Sequence, residues 1–125
     1  MRLIGARLGR VEAGVVEIEI HSRDDLTQQN GYVHAGIVTT ILDSACGYAA
    51  FTLMPANAGV LSVEFKVNLL APASGERIVA RAEVKRAGKT LTVCSADAFA
   101  LNAETRTVCA TMLATMFCVK PKGVE

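Results

Sequence analysis

One uninterrupted apolar run, residues 35–54, most constrains how this chain can fold. It has no turn signal before Pro55, and its alanine, leucine, isoleucine and methionine content favours a helix. Apolar residues occupy nearly every side of that helix, so we expect it to be buried. The run is long enough for a membrane span, but Asp43, two glycines and several hydroxyl residues inside it argue against one.

The sequence on either side of this run alternates between apolar and polar residues with the period of β-strands. The alternation predicts one strand before the helix, at 15–20, and four strands after it, at 60–70, 77–86, 90–101 and 107–119. Short turns join these four strands, which predicts an antiparallel meander packed against the helix. At 125 residues, the chain is predicted to be a single α+β domain spanning 1–125.

The last two predicted strands are apolar on both faces. One helix covers only one face of a sheet, so another subunit must shield the remaining apolar surface. The sequence therefore predicts a homo-oligomer, with a dimer as the minimum.

The charge and the cysteines narrow the functional class. There are 13 Lys and Arg against 12 Asp and Glu, with no basic stripe, so we expect no nucleic-acid partner. The charged start of the chain does not resemble a signal peptide. The four cysteines form no metal-binding spacing and have small apolar neighbours, which indicates buried free thiols in a reducing, cytoplasmic setting. We expect no metal site and no membrane association.

Asp43 is the first candidate for chemistry. A carboxylate in an apolar helix loses hydration, and Asp43 lies about two turns beyond the helix start, too far for a capping role. His34 stands just before the helix, followed by Ala35 and Gly36. These small residues let another molecule approach the first-turn N–H groups, whose partial positive charge suits a developing oxyanion. Taken together, His34 and Asp43 indicate a site.

Other residues carry weaker signals. Ser62 by itself is most simply a strand serine, and strict alternation places it on the face opposite the apolar residues of its strand. Proximity to Asp43 would then require a partner subunit. Lys85, Arg86 and Lys89 surround a predicted hairpin, where they form either an ordinary solvated turn or a rim that binds phosphate. His21 is expected to be a surface residue.

The segment "NGYVHAGIVTTILDSACGYA" (30–49) resembles hotdog-fold acyl-CoA thioesterases of the phenylacetate-pathway, PaaI-like, group. Gly31 lies three residues before His34, and Asp43 nine after it, as in that group's motif. The following segment "LSVEFKVNLLAPASGERIVARAEVKRAGKTL" (61–91) supports the similarity, which covers roughly residues 8–119.

The resemblance implies a hotdog fold, in which a five- to six-stranded antiparallel sheet wraps one central helix at about 35–54. It implies hydrolysis of an acyl-CoA or aryl-CoA thioester at the interface of a homodimer or a dimer of dimers. Asp43 would be either the nucleophile or the general base. The backbone N–H of Ala35, with Gly36, would polarise the carbonyl, while His34 and Ser62 would orient the reacting groups.

The chain departs from the group's pattern at two positions. Ala35 replaces the usual first glycine, and Gln28 stands where the group has asparagine. Which amide among Gln28, Gln29 and Asn30 reaches the thioester is open. The predicted substrate contacts are Gln28, Gln29, Asn30, Gly31, Tyr48, Phe51, Met54, Lys85, Arg86 and Lys89. Among them, Tyr48, Phe51 and Met54 would line an acyl pocket, and the three basic residues would meet the CoA phosphates. Coenzyme A is part of the substrate, so no separate cofactor is expected.

Two other functions remain open at this point. Hotdog-fold hydratases or dehydratases also pair a histidine with a helix carboxylate, and they would change an enoyl group without releasing thiol. A non-catalytic acyl-CoA-binding protein would return its ligand intact.

Overall fold

The computed structural model describes residues 1–120. In that part of the chain, single-turn 3₁₀ helices at Arg2–Ile4 and Asp24–Leu26 accompany seven longer elements. These are β1 (Arg7–Glu12), β2 (Val15–His21), α1 (Ala35–Phe51), β3 (Gly59–Leu69), β4 (Arg77–Ala87), β5 (Leu91–Leu101) and β6 (Arg106–Val119).

The strands form one antiparallel sheet in the order β1-β2-β4-β5-β6-β3. The predicted meander is correct for β4, β5 and β6 but wrong for β3, which pairs with β6 instead of β4. Residues 70–76 carry the chain across three inter-strand spacings, about 14 Å, which a segment of that length spans easily. Consequently β3 is an edge strand.

The sequence did not reveal β1, and with it the sheet has six strands. All of the residues from Arg7 to Glu12 are exposed, so no buried face produces an alternating apolar pattern. The strand exists because it pairs with β2, with a register shift between Leu8 and Val11. Pairing of this kind is a tertiary property, and local sequence does not encode it.

Helix α1 lies across one face of the sheet and contacts β2 through β6. Its buried residues are Val38, Ile41, Leu42, Ala45, Cys46, Ala49 and Ala50. The predicted burial is confirmed on this side of the helix, whereas Gly36, Thr40, Tyr48 and Phe51 are exposed in the single chain. The helix also ends at Phe51 rather than 54. There Thr52 closes it by donating its hydroxyl to the Ala49 carbonyl at 2.6 Å.

The core between helix and sheet is rich in alanine, which lets the two layers approach closely. Ala80, Ala82, Ala98 and Ala114 are fully buried on the inner face.

The prediction of buried free thiols is confirmed for all four cysteines, and burial raises the pKa of Cys94 to about 11. Within residues 1–120, no helix has both the length and the apolar character that a membrane span requires.

Candidate active site

Asp43 and Ser62 meet within one chain. Asp43 is half-buried in the middle of α1, and the Ser62 hydroxyl donates a hydrogen bond to its Oδ1 at 2.6 Å. The same hydroxyl lies 3.4 Å from the sulfur of Met116, which is fully buried. The expectation that Ser62 needs a partner subunit to approach Asp43 is therefore wrong.

A β-bulge in β3 explains this contact. Ser62 pairs with Met116 and Glu64 pairs with Thr115, so Val63 is an extra residue. The bulge shifts the alternation by one position, which turns Ser62 towards the helix, on the same face as Phe65. No glycine or proline marks the bulge, so simple alternation across the strand gives the wrong face for Ser62.

His34 caps the start of α1. Its Nδ1 accepts a hydrogen bond from the Gly36 N–H at 2.9 Å, and its carbonyl accepts from the Ile37 and Val38 N–H groups at 2.9 and 3.2 Å. In the described part of the chain, the Ala35 N–H is the first-turn donor that makes no hydrogen bond. Ala35, rather than Gly36, thus presents a donor at the positive end of the helix.

Gly36 has a different role from the one its small size suggested. A Cβ on Gly36 would lie 3.1 Å from the His34 Nδ1, so the glycine makes room for the imidazole ring. Because Nδ1 accepts the backbone N–H, neutral His34 carries its proton on Nε2. That N–H is the donor that His34 offers to a neighbouring group.

The loop before the helix is fixed by backbone hydrogen bonds. The Gln28 N–H donates to the Tyr32 carbonyl at 2.7 Å, and the His34 N–H donates to the Leu26 carbonyl at 2.9 Å. Gly31 takes the left-handed conformation, with φ 86°, that closes this tight turn. The structure therefore gives Gly31 a backbone role and holds His34 in place.

A cavity of about 630 Å³ opens beside the helix start. One wall comes from the loop before α1 and the opposite wall comes from residues 69–73. Its lining residues are Gln28, Tyr32, Val33, His34, Ala35, Val38, Leu69, Leu70, Ala71, Pro72, Ala73 and Cys109.

Three of the predicted site residues, Gln28, His34 and Ala35, line this cavity. Among the three candidate amides, only Gln28 does so. Its Oε1 accepts the Asn30 N–H, which leaves its NH₂ group as the part that can donate to a ligand. Sequence reasoning missed the opposite wall, because residues 69–73 read only as the end of a strand and a turn.

The cavity and Asp43 are separate in the single chain. Asp43 is eight residues after Ala35, which is about 12 Å along the helix axis, and it does not line the cavity. The predicted acyl-pocket residues Tyr48, Phe51 and Met54 lie further along, at or beyond the end of α1, and do not line the cavity either.

The basic residues Lys85, Arg86 and Lys89 are exposed around the turn between β4 and β5. Lys85 is the extra residue of a bulge between Val84 and Arg86. This turn lies at the sheet end near the C-terminus of α1, away from the cavity. Among residues 1–120, no group of three His, Cys, Asp or Glu side chains could hold a metal ion, and the lack of a metal or cofactor stays a prediction.

The sequence model of the thioesterase superfamily matches residues 30–107. A solved thioesterase family protein from Silicibacter pomeroyi is 51% identical, has a TM-score of 0.95, and aligns over 97% of this chain and 89% of that one. A candidate esterase from Saccharolobus solfataricus is 30% identical over 90% of this chain and 72% of its own length.

A protein from Bacillus halodurans, solved with CoA, has a TM-score of 0.77 at 20% identity, over 82% of this chain and 66% of that one. At that identity the similarity shows the fold alone. The chain spans between 30% and 72% of the length of the curated relatives it matches.

Proposed function

The chain belongs to the thioesterase superfamily, and we propose that it hydrolyses an acyl-CoA or aryl-CoA thioester at a site shared by two subunits. The observation that carries the proposal is the 2.6 Å hydrogen bond from Ser62 to Asp43. It orients a carboxylate in apolar surroundings, while a cavity elsewhere in the chain presents an unused backbone donor.

The Ala35 N–H is suited to polarise the thioester carbonyl. It belongs to the first turn of α1, where the helix dipole favours negative charge, and Ala35 lines the cavity. Gln28 and His34 line the same cavity, and their NH₂ and Nε2–H groups are further candidate donors. Negative charge that develops on the carbonyl oxygen is stabilised there.

Asp43 acts in one of two ways. As a general base it takes a proton from water, the oxygen attacks the carbonyl carbon, and the C–S bond breaks to release CoA thiolate and the free acid. As a nucleophile it forms an acyl-aspartate anhydride with loss of the thiolate, and water then hydrolyses the anhydride. In both cases, Ser62 holds one carboxylate oxygen and leaves the other for reaction.

Pairing of the β3 strands of two subunits would bring the Asp43–Ser62 pair of one subunit close to the cavity of the other. This edge strand is exposed along almost its whole length, and Phe65 is 42% exposed on the helix-facing side. A two-fold axis beside Phe65, with Val63 as the extra residue, places Ser62 of one copy across from Val67 of the other, on the helix-facing side. The Asp43–Ser62 pair of one subunit then lies beside Leu69, which lines the other subunit's cavity.

The same pairing suits the CoA phosphates. It places the β4–β5 turn of one subunit at the cavity end of the other, so Lys85, Arg86 and Lys89 become available to anionic groups outside the cavity. The CoA-containing Bacillus halodurans structure supports a CoA-type ligand for this fold.

A screen of short, long and aromatic CoA thioesters tests the proposal. Release of thiol, followed with a thiol reagent, is the expected result for at least one of them. A change in enoyl absorbance without thiol would indicate a hydratase or dehydratase instead. Tight binding with recovery of intact ligand would indicate a binding protein, and either result contradicts thioester hydrolysis.

A further inference from the structure

The inner end of the cavity is apolar and buried. Four of its lining residues are buried, namely Val33, Val38, Ala73 and Cys109, whereas the rim residues Gln28, Tyr32 and His34 are more accessible. Within residues 1–120, no Asp, Glu, Lys or Arg side chain is part of the lining. A carboxylate pushed into this end would lose its hydration without gaining an opposite charge.

A bulge in β6 brings Cys109 to this end of the cavity. Ala98 pairs with Ala110 and Phe99 pairs with Val108, so Cys109 is the extra residue of β6. As a result Cys109 and Ala110 are both buried although they are consecutive, which regular alternation would not allow. Val108, by contrast, is 40% exposed.

The backbone of Cys109 also shapes the opposite wall. Its carbonyl accepts hydrogen bonds from the Leu70 and Ala71 N–H groups at 2.9 and 3.2 Å. These bonds involve only main-chain atoms of Cys109, so a change of its side chain alters the space in the cavity while the wall keeps its support.

Building on the proposed thioester hydrolysis, we propose that this cavity takes the acyl group, that the group is uncharged and apolar, and that the Cys109 side chain limits its length. The carbonyl lies at Ala35 near the rim, and the acyl chain extends towards Val38 and Cys109. CoA stays outside, towards the second subunit.

Two substitutions at Cys109 change the depth of the cavity in opposite directions. Cys109→Met adds volume with a flexible side chain, and Cys109→Ala removes it. We expect Cys109→Met to lower kcat/KM for the longest acyl group that the wild type accepts by about tenfold or more. Its turnover of the shortest substrate should fall much less, and an unchanged circular dichroism spectrum and oligomeric state show that the variant folds. Cys109→Ala should extend the accepted length.

The matched control is Cys118→Ala. Cys118 is a buried thiol on the same strand, β6, but it does not line the cavity. Its acyl-length profile should equal that of the wild type.

Succinyl-CoA should be turned over at least about a hundredfold less efficiently than butyryl-CoA, because its terminal carboxylate would be buried unpaired.

The result distinguishes the two proposals. Thiol release with the same acyl-length profile in the wild type, Cys109→Met and Cys109→Ala would overturn the assignment of the cavity and leave the hydrolase function standing. Efficient turnover of succinyl-CoA would overturn the uncharged substrate class. Absence of thiol release from every CoA thioester in the wild type would overturn both proposals.

Discussion

At the start of α1, a single chain contains the hydrogen-bond donors of the proposed site. Backbone hydrogen bonds hold the loop before the helix, His34 accepts the Gly36 N–H, and Ala35, whose N–H makes no hydrogen bond within residues 1–120, lines a cavity. Two turns further on, Asp43 is bound to Ser62, beside a strand that is exposed along nearly its whole length. In the proposed mechanism, one chain supplies all the donors that stabilise the developing charge, and a second chain supplies the carboxylate.

Loss of the carboxylate gives the largest expected effect. Asp43→Asn keeps the shape of the side chain and its bond to Ser62, but removes both the base and the nucleophile. We expect kcat for CoA release to fall about a thousandfold or more, with the oligomeric state unchanged by light scattering. Asp97→Asn, at an exposed strand position, is the control and should keep full activity. Undiminished turnover of Asp43→Asn would remove Asp43 from the mechanism.

The backbone donor at Ala35 can be removed without disturbing the helix. Ala35→Pro removes the free N–H at the first helical position, where proline is well tolerated. His34 already has φ −58° and ψ 136°, which suits a residue before proline. We expect kcat to fall about 100- to 1000-fold with little change in Tm. Ala35→Gly retains the N–H and should retain activity. Wild-type activity in the Ala35→Pro variant would show that another donor polarises the carbonyl.

Ser62→Ala tests whether the hydrogen bond from Ser62 to Asp43, which the bulge in β3 makes possible, contributes to catalysis. The change removes the bond to Asp43 and leaves the carboxylate free to rotate, so kcat should fall about tenfold while KM stays similar. Ser95→Ala, on another strand, serves as the control in the same kinetic assay. A rise in KM alone would place Ser62 in substrate binding rather than in orienting Asp43.

The smallest effect is expected at Gly36. Gly36→Ala places a methyl group 3.1 Å from the His34 ring, which must move and weaken its cap. Loss of the cap costs about 1 kcal/mol of folding stability, and the better helix propensity of alanine offsets that cost. Tm should therefore change little, while kcat falls several-fold. Gly47→Ala meets no atom within 4 Å in the single chain and should only raise Tm. A matching rise in Tm for both variants, with full activity, would contradict the role of Gly36.

Much of this site follows from local sequence. The helix start at Ala35, the position of His34 before it and the unusual carboxylate at Asp43 are all visible in residue type and spacing. These features depend on short-range rules of capping, periodicity and polarity. Helix α1 therefore begins at the residue where its pattern begins.

The remaining features depend on pairing between distant segments. The bulges at Val63 and Cys109 exist only relative to the partner strands, and they decide which way Ser62 and Cys109 point. The cavity wall at 69–73 likewise forms only because β3 crosses to the far edge of the sheet and pairs with β6. Alternation within one strand carries no information on any of these.

In the proposed shared site, Ala35 of one subunit works with Asp43 of the other, and an engineered mixed dimer tests this arrangement most directly. Ala35→Pro and Asp43→Asn chains are co-expressed with different affinity tags, and the mixed dimer is purified. One of its two sites then carries both changes, and the other carries neither. We predict about half of the wild-type kcat per dimer, with each parent variant nearly inactive alone. No recovery in the mixed dimer would show that both residues act within one chain and would contradict the shared site.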